Sequence, residues 1–214
     1  MGDPLIAFLA RAELLMERIE AALPHALEQP DWSQSIAFRY RQRRSGRGVI
    51  TPIAHIGAIS LADLKEIEPQ KEKIYRNTEQ FVRGLPANNV LLTGSRGTGK
   101  SSLIRACLHA FADQGLRLIE VDKDDLIDLP DIVELVAQRP EKFIVFCDDL
   151  SFDEGESGYK ALKSVLDGSV AAATSNVLIY ATSNRRHLLP EYMAENLSYT
   201  HTDVIARYQR MAGK

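Results

Sequence analysis

The sequence contains little cysteine, little tryptophan and no long hydrophobic run. Cys107 and Cys147 are its two cysteines, and without a CxxC pair or a cysteine–histidine cluster they form no zinc-binding pattern. No segment approaches the roughly 18 apolar residues of a membrane span. A secretory signal is not indicated either, because Asp3, Arg11 and Glu13 interrupt the N-terminal apolar stretch. We therefore expect a cytoplasmic protein in which both cysteines are small core residues.

Charge of one sign does not dominate the chain. The net charge is −3, with 45% hydrophobic and 26% charged residues, as in ordinary globular proteins. A local exception is a basic run in which Phe38 and Tyr40 alternate with arginines. Two interpretations of this run stay open, namely a flexible solvated arm or a contact surface for nucleic acid or an acidic partner. Its arginines are Arg39, Arg41, Arg43, Arg44 and Arg47.

The N-terminal third of the chain has two helical patterns separated by an irregular stretch. Apolar residues recur at helical spacing over residues 4–23 and again over residues 69–83, where Pro69 suits a first helical turn. The apolar stripe of the first helix either packs against the rest of the chain or docks a partner. Residues 30–60 contain the basic run together with glycines and prolines, and they are interpreted as a linker or arm.

Beyond Pro86 the sequence alternates between apolar strands and helices. Nearly continuous apolar strands separated by helices are typical of a parallel sheet that is covered on both faces. The pattern therefore predicts an α/β fold of the three-layer αβα type. The predicted strands are 89–94, 117–122, 143–149 and 177–184, and the predicted helices are 101–114, 130–138 and 158–166.

A glycine-rich loop follows the first of these strands. Residues 94–101 are GSRGTGKS, which matches GxxxxGK[ST] between a strand and a helix. Glycines let successive backbone N–H groups face one anion, and the helix N-terminus adds partial positive charge. Lys100 would reach the β- and γ-phosphates of ATP, and the Ser101 hydroxyl would bind Mg²⁺. The predicted nucleotide-binding residues are Gly94, Ser95, Arg96, Gly97, Thr98, Gly99, Lys100, Ser101 and Ser102.

Acidic residues end the third predicted strand. Asp148 and Asp149 follow FIVFC, and ligands bind beyond the carboxyl ends of the strands in such sheets. We predict that Asp148 holds Mg²⁺ through water and that Asp149 polarises the attacking water. Capping of a following helix is the simpler alternative for this pair. Glu154 and Glu156, in the next loop, are weaker candidates for the base.

The fourth predicted strand ends in a polar amide. Asn184 could orient water or sense the γ-phosphate, although asparagine also suits a turn. Arg185 and Arg186 could reach phosphate, bridge to a neighbouring subunit or pair at the surface. The predicted catalytic residues are thus Lys100, Asp149 and Asn184, and the predicted metal ligands are Ser101 and Asp148.

These motifs resemble those of the AAA+ ATPases, with Walker A at 94–101, Walker B at 143–149 and a sensor-1 asparagine at Asn184. The chain more closely resembles a group of bacterial predicted ATPases known as a domain of unknown function within AAA+. That resemblance runs from about residue 36 to residue 197. The stretches that carry it are NTEQFVRGLPANNVLLTGSRGTGKSSLI, GLRLIEVDKDDLIDLPDIVELV, FCDDLSFDEGE and NVLIYATSNRRHLLPEYMAENL.

The resemblance implies several features of fold and site. It implies a sheet order of 5-1-4-3-2, a loop around Leu64–Ile67 that lies over adenine, and a homo-oligomer. The Asp-Asp form of Walker B looks normal for the group, so Asp149 is compatible with an active site.

The resemblance also implies that the chain is truncated. AAA+ proteins usually continue past sensor 1 with an arginine finger, a fifth strand and a helical lid, whereas YTHTDVIARYQRMAGK follows Leu197 here. An arginine finger contributes about 10³–10⁵ in rate in other NTPases, so we expect weak hydrolysis. The expected division is an N-terminal helix and basic arm at 1–47, an AAA+ core without its lid at 48–197, and a non-family tail at 198–214.

Two functions therefore stay open. One is an ATPase that couples ATP–Mg²⁺ hydrolysis to the remodelling or loading of a macromolecule. The other is an ATP-gated switch or loader that recruits a protein or nucleic acid with little turnover, an idea that rests on fold-level analogy. A small-molecule kinase is disfavoured, because the sequence offers no identifiable lid arginines or acceptor pocket.

Overall fold

The computed structural model describes residues 4–22, 27–43, 48–153, 156–166 and 175–185. These residues form strands and helices that alternate along most of the chain. The strands are β1 (Ala37–Gln42), β2 (Gly48–Pro52), β3 (Val90–Thr93), β4 (Leu116–Val121), β5 (Lys142–Cys147) and β6 (Val177–Ser183). The helices are α1 (Pro4–Ala22), α2 (Glu68–Val82), α3 (Lys100–Phe111), α4 (Leu129–Val136) and α5 (Ser157–Leu166).

The six described strands form one sheet in the order β2-β1-β4-β5-β6-β3. All neighbouring strands are parallel except β1 and β2, which form an antiparallel pair. The order β3-β6-β5-β4 reproduces the 1-4-3-2 part of the order implied by the AAA+ resemblance, so that part of the prediction is confirmed. The glycine-rich loop 94–101, called the phosphate loop below, follows β3. This strand lies at one side of the described sheet, and the loop opens at the carboxyl edge.

Helices cover both faces of the sheet, which confirms the three-layer α/β prediction. On one face, Ile104 and Leu108 of α3 share a buried cluster with Leu118 and Ile144 of the sheet. The other face is covered by α4 and α5, whose buried side chains join those of β4 and β5. Burial of one aliphatic side chain contributes about 1.5–3 kcal/mol to the stability of the fold. The two clusters therefore stabilise the sheet, and the sheet holds the loops at its strand ends in fixed positions.

The interpretation of residues 30–60 as an irregular linker or arm is wrong for their central part. Residues 37–42 and 48–52 are strands, and β1 pairs in parallel with β4. Phe38 and Tyr40 are buried on one face of β1, whereas Arg39 and Arg41 belong to the opposite face. The apolar residues that alternate with arginine are thus a strand pattern. The domain division at residue 47 stays a prediction, although strands on both sides of that residue pair with each other.

The remaining elements agree with the predicted ones to within a few residues. The first predicted helix is present as α1, and its described large apolar side chains are exposed, with Phe8 68% accessible. The third predicted strand ends at Cys147, so Asp148 and Asp149 lie in the loop after β5 rather than inside it. Among the described residues, none of the helices has the length and apolar character needed to cross a membrane.

Candidate nucleotide-binding site

The phosphate loop connects the end of β3 to the start of α3. Its backbone needs glycine at three positions, because Gly94 has φ of +149° and Gly97 and Gly99 both have φ of +82°, a region that other L-residues rarely adopt. Helix α3 begins at Lys100, and Leu103 N donates to Gly99 O at 2.8 Å. The free N–H groups of the first helical turn therefore face the mouth of the loop.

Lys100 folds back over this loop. Its Nζ donates to Gly94 O at 2.8 Å, to Ser95 O at 2.8 Å and to Asn184 Oδ1 at 3.0 Å. All three donor positions of the ammonium group are therefore matched by oxygen atoms at the mouth. The contact with Asn184 joins the phosphate loop to the end of β6.

Asp148 lies opposite the first turn of α3. Ser101 Oγ donates to Asp148 Oδ1 at 2.7 Å, and the Thr182 hydroxyl donates to the same oxygen. The site thus brings the two predicted metal ligands into direct contact. Their oxygen atoms are the donors that Mg²⁺ prefers, so this pair fits the ion that the sequence implies.

Asp149 adopts a left-handed backbone conformation, with φ of +53°. Its main-chain N donates to Thr182 Oγ1 at 2.8 Å, and its Oδ1 accepts from Asn184 Nδ2 at 2.5 Å. The predicted base and the predicted sensor are therefore hydrogen-bonded to each other. Asn184 contacts Lys100 through its oxygen and Asp149 through its nitrogen, which makes it the central residue of the site.

Thr182 is a site residue that the sequence analysis missed. It is buried in β6, and its single hydroxyl contacts both acidic residues of the loop after β5. Leu150 N also donates to Thr182 O at 2.7 Å, and Ser183 Oγ donates to Leu150 O at 2.6 Å. The available signal was a pair of hydroxyl residues at the end of an otherwise apolar strand, which predicts buried groups that need partners.

Other predicted residues are not brought into this network. Glu156 accepts hydrogen bonds from Asp153 N and Lys123 Nζ, at 2.9 and 3.0 Å, and these bonds lower its carboxyl pKa. It is therefore occupied away from the phosphate loop. Arg185 is exposed, and its main-chain N donates to Ser183 Oγ. The predictions for Glu154 and Arg186 lie outside the described residues.

Within the loop itself, the remaining predicted residues have simpler contacts. Thr98 Oγ1 donates to Ser95 O at 2.9 Å, which closes the turn. Arg96 is exposed and Ser102 is half-buried. Their predicted contacts with nucleotide stay predictions.

The segment predicted to cover adenine lies beside the phosphate loop. A Cβ placed on Gly99 would lie 3.8 Å from Leu64 Cδ2 and 4.0 Å from Ile67 Cδ1. Lys71 Nζ holds this segment by donating to Leu64 O at 2.7 Å and Leu61 O at 3.3 Å. Two apolar side chains therefore stand at the entrance, while their role toward adenine stays a prediction.

The fold places the arginines of the basic run in different environments. Arg39 Nη2 donates to Glu120 Oε2 at 2.8 Å, across β1 and β4. Arg41 and Arg43 are exposed, whereas Arg44 and Arg47 lie outside the described residues. Arg39 is thus committed to an ion pair in the sheet, and the proposed nucleic-acid or protein contact of this run stays a prediction.

Comparison with a family model places most of the chain in one group. The model described as "Protein of unknown function (DUF815)" matches residues 33–211. The match includes β1 and β2, which the sequence analysis interpreted as part of a linker. It also reaches past residue 197, into the segment that we expected to lie outside the family. No curated protein matches the chain.

Comparison with solved structures finds partial similarity to several proteins, including RuvB, DnaA and DnaI. A mutant of RuvB from Thermotoga maritima is 17% identical over 63% of this chain and 44% of that chain, with a TM-score of 0.46. AMPPCP-bound DnaA from Aquifex aeolicus is 16% identical over 71% of this chain and 47% of that one, with a TM-score of 0.43. DnaI is 22% identical over 72% and 82%, with a TM-score of 0.45. The chain thus spans less than half the length of the first two proteins.

Proposed function

The chain belongs to the DUF815 family, and from this premise we propose that it binds ATP with Mg²⁺ at the loop 94–101 and hydrolyses it. The proposal is carried by one observation, a continuous hydrogen-bond network that joins the phosphate loop to both acidic residues. Lys100, Asn184 and Asp149 form one branch, and Ser101 and Asp148 form the other. These five side chains come from three separate segments of the chain and meet at the carboxyl edge of the sheet.

Each branch would have its own part in binding. The Lys100 ammonium would exchange Gly94 O and Ser95 O for β- and γ-phosphate oxygens, which are charged and therefore stronger acceptors. Ser101, with Asp148 acting through water, would hold Mg²⁺. The ion would supply positive charge to the phosphate oxygens.

Hydrolysis would depend on the other branch. Asp149 is the carboxylate best placed to accept a proton from an attacking water, because Asn184 is hydrogen-bonded to it and to Lys100. A γ-phosphate drawn to Lys100 would compete for the Asn184 amide and release Asp149 for the water. Asn184 would in this way report the state of the nucleotide to the base.

Binding is tested by isothermal titration of the purified chain with Mg–ADP and with a non-hydrolysable Mg–ATP analogue. The Lys100→Ala variant should weaken binding about 10- to 100-fold, as expected for lost hydrogen bonds to charged groups. Lys73→Ala removes the same charge from an exposed position on α2 and should bind as the unchanged protein does. Absence of heat up to millimolar nucleotide would contradict the proposal.

Turnover is tested separately by phosphate release. Release above background that disappears in Asp149→Asn supports an ATPase. The alternative of an ATP-gated switch would follow if the hydrogen bond between Asn184 and Asp149 persists when nucleotide is bound. Tight nucleotide binding with no release at any protein concentration would support that switch.

Coupling to a macromolecule and assembly into a homo-oligomer belong to the same proposal. Light scattering with Mg–ADP and with the Mg–ATP analogue tests assembly directly. A mass that stays at that of a single chain with either nucleotide would argue for a monomeric switch. Nucleic-acid contact through Arg41 and Arg43 is tested by filter binding at several salt concentrations, where true phosphate contacts weaken as salt rises.

A further inference from the structure

A cavity of about 120 Å³ lies between the sheet and α3, and it is separate from the phosphate loop. None of the residues 94–101 lines it, whereas residues of β1, β4, β5, α3 and the segment after β2 do. A cavity near 150 Å³ holds benzene in another protein, so this one is large enough for a short aliphatic group. The apolar lining consists of Ala37, Ile53, Ile56, Leu108, Leu118 and Phe146.

Cationic groups line the same cavity. Arg39 contributes its ion pair with Glu120, and its Nε is buried without a hydrogen-bond partner among the described residues. Arg105 and His55 also line the cavity, and neither forms an ion pair with any described residue. Of the described lining residues only Glu120 has a carboxylate, and Arg39 offsets it. The lining therefore keeps a net positive charge, which Arg105 presents at the surface.

We propose that this cavity binds a small organic carboxylate. The apolar body of the ligand would replace water against the partly exposed Ile53 and Ile56, and its carboxylate would accept from Arg105. Charge-assisted bonds of this kind are about twice as strong as neutral ones. An inorganic anion would leave the apolar lining unused, and an organic cation would face Arg105. This site is independent of the proposed nucleotide function, because no atom of the phosphate loop takes part.

The test uses butyrate and its neutral counterpart butyramide, which have nearly the same shape. Titration of the ¹⁵N-labelled full chain with butyrate should give saturable shifts of the Gly57 and Leu108 amide resonances, with roughly millimolar affinity. Butyramide should bind at least about fivefold more weakly, because it lacks the charge that Arg105 attracts. The Arg105→Gln variant should lose about the same factor for butyrate. Arg105 is exposed on α3, so this variant is expected to fold.

A matched variant separates the site from general surface charge. Arg76→Gln removes an equal charge from an exposed position on α2, outside the cavity lining, and should leave butyrate affinity within about twofold. Equal affinity for butyrate and butyramide, shifts that do not saturate, or an unchanged affinity in Arg105→Gln would overturn the proposal. So would shifts that are largest at residues 94–101, because they would place the anion at the phosphate loop.

Discussion

Asp149 has a backbone reason to be aspartate rather than glutamate. Its φ of +53° lies in the left-handed region, where asparagine and aspartate are several-fold enriched over other non-glycine residues. Their short polar side chains bond locally and offset part of the steric cost, as Asp149 does with Asn184. The second acidic position of this loop is therefore constrained by the turn itself, and the shorter carboxylate is a consequence of that turn.

This constraint predicts that two conservative changes differ in their effect on stability. Asp149→Asn should keep the free energy of unfolding within about 0.5 kcal/mol, because asparagine also accepts the left-handed conformation. Asp149→Glu should lower it by about 0.5–1 kcal/mol, because the longer side chain lacks that local compensation. Urea unfolding of the three proteins measures both values. Equal stability of the Glu and Asn variants would contradict this account of the turn.

Thr182 supports both acidic residues from inside the sheet. Thr182→Val keeps the shape of the side chain but removes one of the two donors to Asp148 Oδ1 and leaves Asp149 N without its acceptor. We expect it to lower the free energy of unfolding by about 1–3 kcal/mol, the cost of unsatisfied buried groups. Thr182→Ser keeps the hydroxyl and should cost less, roughly the 0.8 kcal/mol of one buried methyl group. Equilibrium unfolding of both variants measures these losses. A Val variant as stable as the Ser variant would argue against a stabilising role of the Thr182 hydroxyl.

At the level of elements, β1 is part of the core rather than an arm. Phe38 lies 4.6 Å from Trp32 between ring centroids, and Trp32 in turn lies 4.8 Å from Phe143 of β5. Tyr40 Oη donates to Asp128 Oδ2 at 2.7 Å, which joins β1 to the turn before α4. Aromatic packing and a charged hydrogen bond therefore both fix this strand to the rest of the sheet and to the segment before α4.

A pair of substitutions on this one strand tests that integration. Phe38→Ala should lower the free energy of unfolding by about 3–5 kcal/mol, as for other buried phenylalanines. Arg41→Ala, on the opposite exposed face of β1, should change it by less than about 0.5 kcal/mol. Denaturant unfolding followed by circular dichroism gives both values. A loss below about 1 kcal/mol for Phe38→Ala would mean that β1 is peripheral after all.

The sequence predicted elements well where one periodicity was strong and poorly where two signals competed. The strands β3, β4, β5 and β6 have nearly continuous apolar runs, so their existence and pairing direction followed from the sequence. In β1 the alternation of Phe38 and Tyr40 with arginines was equally regular, but the neighbouring glycines and prolines favoured a linker. The charge of Arg39 suggested a solvent-exposed side chain. In the fold this side chain instead forms an ion pair with Glu120, a residue 81 positions away in the chain.

The site shows the same division. Gly97, Gly99, Lys100 and Ser101 lie in one continuous motif whose local chemistry demands them, so the phosphate loop was predictable. The role of Thr182 and the left-handed turn at Asp149 depend on the register between β5 and β6, where Cys147 pairs with Ala181. Register is specified by alternation where one face of a strand is buried and the other is polar, and β5 and β6, which are buried along nearly their whole length, lack that alternation.

For the whole molecule, burial of thiols and phenols predicts a loss of stability in alkali. Burial raises the pKa of Cys107, Cys147 and Tyr180 to about 12, and burial together with the Asp128 hydrogen bond raises the pKa of Tyr40. In the unfolded chain cysteine titrates near 8.5 and tyrosine near 10. Each of these groups thus keeps its proton in the folded state over a pH range in which the unfolded state loses it. Stability is complete below about pH 8.5 and falls as pH rises toward the folded pKa values.

The free energy of unfolding should therefore decline from about pH 9, first through the cysteines and more steeply above about pH 10 when the tyrosines join. Each group contributes up to about 1.4 kcal/mol per pH unit. Urea unfolding at half-unit steps from about pH 8 to 11 measures the slope. Cys147→Ala should reduce the slope from about pH 9 upward, whereas Tyr180→Phe should reduce it only above about pH 10. A slope that is the same in all three proteins would show that these buried groups do not control alkaline stability.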